Sequence, residues 1–275
     1  MECLLDNIKV HYEILGEVRP ILMLHGCPVD HSYMMTAFEP IFEDLEGWQR
    51  IYLDLPGMGK TSAVEWIKTH DDMLQVVLDF IDHVIPEDHF HIVGLSYGAY
   101  LARGIINKRF ISIDGLMMYA PMIFADQAKK TVPEHIILFE NPSFHEELKA
   151  NNLEEFIVYI TDQNDECLEN LRIVGIPSIA KADFEFLDSI DFEKEFSFCR
   201  DDEVLSFSKP TLIVVGRQDS VVGYQDVWQF IEGFPRATFA VLDYSGHALG
   251  VGERNTVFRA LVKDWIDRLE RDAEN

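Results

Sequence analysis

Up to residue 121 the chain carries four apolar runs: ILMLHG at 21–26, RIYLDLPG at 50–57, HFHIVGLS at 89–96 and DGLMMYAP at 114–121. Runs of this kind suit strands buried on both faces of a parallel sheet. The segments between them have a different period. Met73, Val76, Val77, Phe80, Ile81 and Val84 recur at i, i+3, i+4, i+7, i+8 and i+11, one face of a helix. Two more strand-like runs, PTLIVVGRQD at 210–219 and ATFAVLDYSGH at 237–247, appear late in the chain. A final helix is predicted from the stripe Val257, Phe258, Leu261, Val262, Trp265, Ile266 and Leu269. Strands alternating with helices predict an open, mostly parallel α/β sheet flanked by helices on both faces.

Between residues 122 and 207 this alternation stops. The segment is rich in Glu, Asp and Phe, reads as several helices and holds no convincing buried strand. It is expected to be an insertion packed over the sheet, leaving 1–121 and 208–275 as the core. No internal repeat or low-complexity tract interrupts either part.

Composition narrows the classes of function. A net charge of −25 repels nucleic acid and anionic membrane surfaces, so neither is an expected partner. Cys3, Cys27, Cys167 and Cys199 are scattered without a C-x-x-C pair, which suggests no disulfide framework or zinc site and fits a reducing cytoplasm. The start MECLLDNIKV lacks the basic and apolar regions of a signal peptide. No run approaches the roughly 18 apolar residues of a membrane span. The expected setting is cytoplasmic and the expected partner a small molecule; the oligomeric state is left open.

Two stretches bear on chemistry. DLPGMGKTS at 54–62 ends like a phosphate-binding loop, but that loop needs glycine where Asp54 stands, and a carboxylate repels phosphate. Nucleotide binding is therefore not expected. VGLSYGAYLA at 93–102 contains G-x-S-x-G directly after a strand run and before a helical pattern. A serine on so tight a turn needs small residues two positions either side, and Gly94 and Gly98 supply them. The turn lifts Ser96 above the carboxyl edge of the sheet and points a helix N-terminus at it, which favours developing negative charge. A serine hydroxyl needs a base, and the base an orienting acid. Strand runs ending at Asp219 and His247 offer both, in the chain order Ser96, Asp219, His247. Asp243 is a competing acid, set aside because it would lie within or just after a strand.

Taken in order, HGCP at 25–28, DLPGMGKTS, GLSYG, GRQD and SGH resemble an α/β-hydrolase fold protein over essentially the whole chain except the middle insertion. The resemblance implies that 122–207 is the helical cap of that fold. It implies a backbone N–H from Cys27 and another from Tyr97 as the oxyanion hole, with His25 and Gly26 shaping that loop. It also accounts for DLPGMGKTS as a loop beside the active-site edge, with Lys60 and Thr61 at permissive positions. The histidines around HVIPEDHFH (His83, His89, His91) and the group His25, Cys27, Asp30 and His31 lack standard ligand spacing, so no metal is expected. No organic cofactor is required.

A serine rather than an aspartate nucleophile points to acyl transfer. Phe124, Phe139, Phe144, Phe156, Tyr159, Phe184, Phe186, Phe192, Phe196 and Phe198 crowd the cap, most as its own core and its seal, a minority as pocket lining. The expected function is a serine hydrolase of a small, mainly apolar carboxylic ester or lactone. The alternatives are a meta-cleavage-type carbon–carbon bond hydrolase, and a small-molecule receptor on the same fold with slow or no turnover.

Overall fold

The computed structural model describes residues 1–85, 89–201 and 206–274. One eight-stranded sheet runs in the order β1-β2-β4-β3-β5-β6-β7-β8. Its strands are β1 (Glu2–Leu4), β2 (Lys9–Gly16), β3 (Arg19–Leu24), β4 (Trp48–Leu53), β5 (Phe90–Leu95), β6 (Ile113–Tyr119), β7 (Thr211–Gly216) and β8 (Ala237–Leu242). The pairings from β4 through β8 are parallel, while β1 with β2 and β2 with β4 are antiparallel.

The six apolar runs correspond to β3 through β8. Buried on both sides, β5 and β7 show no exposed position. The last run ends sooner than the apolar pattern suggests: β8 stops at Leu242, and the chain turns at Tyr244 with φ 56°. The hairpin of β1 and β2 has no counterpart in the sequence reading. Its longer strand, KVHYEILG, is mostly half-buried and interleaves His11 and Glu13 with apolar residues, so it has neither a continuous run nor a clean alternation.

Helices cover both faces. On one, α1 (His31–Phe42) packs with the C-terminal helix; on the other lie α2 (His70–Val84) and α3 (Tyr97–Arg109). A capping box starts α2, the Asp72 backbone N–H donating to Thr69 Oγ1 and the Thr69 N–H to the Asp72 carboxylate. Its stripe is buried from Met73 to Ile81, with Val84 half-buried.

The segment between β6 and β7 holds α4 (Pro142–Ala150), α5 (Asp165–Asn170), α6 (Ile176–Ile179) and α7 (Phe184–Asp188), and no named strand among its described residues. Residues 202–205, within the expected 122–207 cap, lie outside the described residues. Phe144, Leu148, Phe156, Leu168 and Leu171 form a small core of their own. Phe186 and Phe196 instead join the main core beneath α2 and α3, while Phe139 and Phe184 are exposed. After β7 come α8 (Gln225–Trp228) and, past β8, α9 (Asn255–Ala273), which buries Phe258, Val262, Trp265, Ile266 and Leu269; Val257 and Leu261 are half-buried at the edge of the stripe.

The start of α3 packs closely on the end of β3. A Cβ on Gly98 would sit 2.2 Å from the Leu24 carbonyl oxygen, backbone that cannot step aside. Gly98→Ala is predicted to destabilise the fold by about 3 kcal/mol through overpacking, read as a lower urea midpoint at unchanged m-value.

Candidate active site

Ser96 joins β5 to α3 at φ 51° and ψ −112°, outside the conformations a serine prefers. Four backbone bonds hold it there: its N–H donates to the Tyr119 carbonyl at 3.1 Å, and its own carbonyl accepts from Ala99 at 3.1 Å, Tyr100 at 3.2 Å and Met122 at 3.2 Å. A Cβ on Gly94 would meet the Ala99 backbone at 2.6 Å, so glycine on each side of the serine is a steric requirement.

The structure brings Ser96, His247 and Asp219 together. The Ser96 hydroxyl donates to His247 Nε2 at 3.0 Å, and His247 Nδ1–H donates to Asp219 Oδ2 at 2.8 Å. The other Asp219 oxygen accepts the N–H groups of Val221 at 2.9 Å and Val222 at 3.0 Å, so the carboxylate cannot rotate away. Asp219 is fully buried, and Ser96 and His247 nearly so. A Cβ on Gly216 would strike the Gly246 carbonyl oxygen at 2.3 Å; glycine there lets the two loops meet. Asp243 turns elsewhere and accepts from Gln218 Nε2 at 2.8 Å.

Beside the serine, the Cys27 and Tyr97 backbone N–H groups donate to no partner among the described residues. Gly26 makes the approach possible, since a Cβ there would lie 3.1 Å from Ser96 Cβ. Burial pushes the Cys27 thiol up to about 12, which leaves it a neutral wall of the cavity. His25 secures the loop. Its Nε2 accepts the Leu55 N–H at 2.9 Å, which places the ring proton on Nδ1, and Nδ1 donates to the Gly26 carbonyl at 2.8 Å.

DLPGMGKTS is a wrap around a buried carboxylate. Burial opposes a charge on Asp54, but the His31 hydrogen bond and neighbouring histidines outweigh it and hold the carboxyl down to about 2. Asp54 accepts from the N–H groups of His31 and Lys60, each at 2.9 Å, and from His31 Nδ1 at 2.7 Å. Gly59 sits at φ 60°, with room for a Cβ filled by that carboxylate at 2.4 Å. Lys60 is exposed as a permissive position should be, but Thr61 corrects the expectation. It is buried because its hydroxyl accepts the His11 N–H at 2.9 Å, stitching the loop to β2.

The segment between β6 and β7, expected from the sequence as a cap, closes over this edge. Gly26, Cys27, Leu95, Ser96, His247 and Ala248 line a cavity of about 70 Å³ from below, and Phe156, Tyr159, Ile160, Leu171 and Ile179 line it from the cap. The Tyr159 ring meets the His247 imidazole edge-on at 5.2 Å. Its carbonyl accepts the N–H groups of His247 at 2.8 Å and Ala248 at 2.9 Å.

A residue with no motif around it completes the junction. Glu253, fully buried, accepts from Thr161 at 2.6 Å and Asp162 at 2.8 Å through one oxygen, and from Gly246 at 2.6 Å through the other. All three donors are backbone N–H groups, two in the cap and one beside His247. Burial raises its carboxyl to about 7 despite those bonds. In sequence it follows a glycine in an unremarkable turn, and nothing marks it.

The remaining histidines disperse. His89 pairs with Asp114 at 3.0 Å, His91 Nδ1 donates to the Pro20 carbonyl at 3.1 Å, and His83 contacts the Asp79 carbonyl of its own helix. Residues 86–88 of that stretch lie outside the described residues.

This arrangement of an elbow serine, a carboxylate-oriented imidazole and two free N–H groups defines a class, and comparison with known proteins agrees. A family model of the alpha/beta hydrolase fold matches residues 19–251, and the chain belongs to that family. An alpha/beta superfamily hydrolase from Oenococcus oeni PSU-1 is 30% identical with a TM-score of 0.86, covering 98% of this chain and 99% of that one. A thermophilic esterase from Thermogutta terrifontis superposes with a TM-score of 0.72 at 20% identity, over 95% of this chain and 94% of that one. The 2-hydroxy-6-oxononadienedioate/2-hydroxy-6-oxononatrienedioate hydrolase 2 of Pseudomonas putida is 23% identical over 276 residues, 94% of this chain and 92% of that protein.

Glu253 generates a prediction with a definite sign. A folded-state pKa raised from 4.5 to about 7 means a contribution fully present below pH 4.5 and lost as pH rises through 7. Glu253→Gln removes the titration. The stability advantage of the wild type over this variant is predicted to narrow by about 3 kcal/mol between pH 4.5 and 8, measured by urea unfolding at each pH.

Proposed function

We propose that the protein is a serine hydrolase acting on small, uncharged carboxylic esters through an acyl intermediate on Ser96. The observation that carries this reading is the unbroken chain of bonds from Ser96 Oγ to His247 to Asp219. His247 takes the serine proton as the hydroxyl attacks the carbonyl, and returns it to the departing alcohol. Asp219 keeps the imidazole in the tautomer whose Nε2 is free to accept. The Cys27 and Tyr97 N–H groups receive the oxyanion. Water then repeats the sequence and releases the acid.

The cavity supports a small neutral acyl group. Its volume of about 70 Å³ is well below the roughly 300–1,000 Å³ of drug-sized sites. Its walls are apolar, and no lysine or arginine lines it. A second reading, carbon–carbon bond hydrolysis, is favoured by the P. putida relative. That relative's named substrates are dicarboxylates, and a cavity without a cation gives a second carboxylate no partner.

Ser96→Ala is expected to abolish labelling by a fluorophosphonate probe and to lower ester turnover by at least about a thousandfold. With p-nitrophenyl esters, kcat/KM should rise about fourfold per methylene over the shortest acyl chains, following about 0.8 kcal/mol of burial per methylene. It should fall by octanoate, where the cavity is full. Near-background rates for every ester would sink the esterase reading in favour of carbon–carbon hydrolysis or ligand reception.

A further inference from the structure

On the face of β2 that looks toward the start of α1, three ligand-type side chains converge. Residues two apart on a strand share a face, so His11 and Glu13 point the same way. His31, the first residue of α1, meets them from the other side. Glu13 Oε1 lies 3.3 Å from His31 Nε2 and 3.7 Å from His11 Nε2, and the three donor atoms all fall within 4.8 Å of one another. Around a tetrahedral zinc with bonds of 2.0–2.1 Å, donor atoms stand roughly 3.3 Å apart. A small side-chain adjustment closes the set.

Two further observations point to a ligand. His11 Nε2 is buried with no hydrogen-bond partner among the described residues, an orphaned polar atom directed at the cluster. His31 also carries the outer carboxylate that metal-binding imidazoles usually have: Nδ1 bonds to Asp54 at 2.7 Å, fixing the ring with Nε2 toward Glu13. Asp54 itself is immobilised by the N–H groups of His31 and Lys60. Lys60 Nζ approaches Glu13 at 3.8 Å, but its side chain is 55% exposed and can swing clear. Asp30, near the same place, is engaged by Ser32 and by Lys181 and is no candidate ligand.

We infer that His11, Glu13 and His31 form a binding site for a first-row divalent cation of the zinc type. Two imidazoles and one carboxylate supply three ligands and water the fourth, a borderline donor set that suits zinc, cobalt or nickel rather than calcium or magnesium. Ser96, His247 and Asp219 are not among the ligands. The ion clamps β2 to the segment that begins at Cys27, and its effect is on stability rather than chemistry. The inference stands apart from the ester-hydrolase reading.

The test uses the full chain, stripped with chelator and titrated with cobalt(II) and zinc(II). Expected are one equivalent of cobalt with the visible absorption of a four-coordinate N/O site, micromolar or tighter zinc affinity by calorimetry, and a Tm that rises with zinc concentration. His11→Gln and Glu13→Gln should each weaken binding by at least about tenfold while ester turnover and far-UV circular dichroism stay unchanged. Ser96→Ala should bind metal like the wild type. No saturable binding at millimolar metal would reduce the cluster to a Glu13–His31–Asp54 ion pair and overturn the inference. Binding that persists undiminished in the His11→Gln, Glu13→Gln double variant would overturn it equally.

Discussion

Everything at the candidate site depends on one strained turn. A serine held at φ 51° costs on the order of 1–3 kcal/mol, and it persists only where the surroundings over-determine it. Here they do so through backbone alone. Tyr119 accepts from Ser96, Met122 and Ala99 donate to it, and glycines at 94 and 98 permit the packing of α3 against β3 and β5 that fixes the turn. The turn sets the hydroxyl above the sheet edge and starts a helix directly beneath it, so the same few residues place the serine and aim a helix N-terminus at it.

The imidazole is positioned by a different principle. Its loop leaves β8 at Leu242 and would be an ordinary surface connection were it not tied to the cap. Tyr159 accepts two N–H groups from it, and Glu253 collects one from Gly246 and two from residues 161 and 162 of the segment above. The cap therefore does more than roof the cavity. It holds the His247 imidazole in register with Ser96, and a buried carboxyl group raised to about 7 sits at the joint.

How much of this could be read in the sequence follows from how locally each feature is encoded. Strands buried on both faces must be continuously apolar, so β3 through β7 announce themselves, and the half-buried β8 is legible from its own apolar run. The elbow is legible for the same reason: glycine spacing and strand-to-helix context lie within ten residues. A role for the Cys27 loop as an oxyanion hole is legible only through family resemblance. Glu253 was not reachable, because its three partners come from positions 161, 162 and 246, and a lone glutamate in a turn carries no pattern. Thr61 looked interchangeable because its partner is the backbone of β2, a half-buried strand whose mixed composition hid the strand itself. The meeting of His11, Glu13 and His31 likewise needs the antiparallel pairing of β2 with β4, which no spacing reveals.

The bonding of Tyr159 has a consequence for how such a chain can diverge. Its ring faces the cavity and the imidazole, but what secures the His247 loop is its carbonyl. Any residue other than one that distorts the local backbone can supply that carbonyl. Position 159 can thus change what the cavity admits while the His247 loop stays tied, whereas Phe156 and Ile179 line the cavity and also belong to the small core of this segment. A chain with this architecture can reshape the cavity by substitution at that one position without loosening the loop that carries His247.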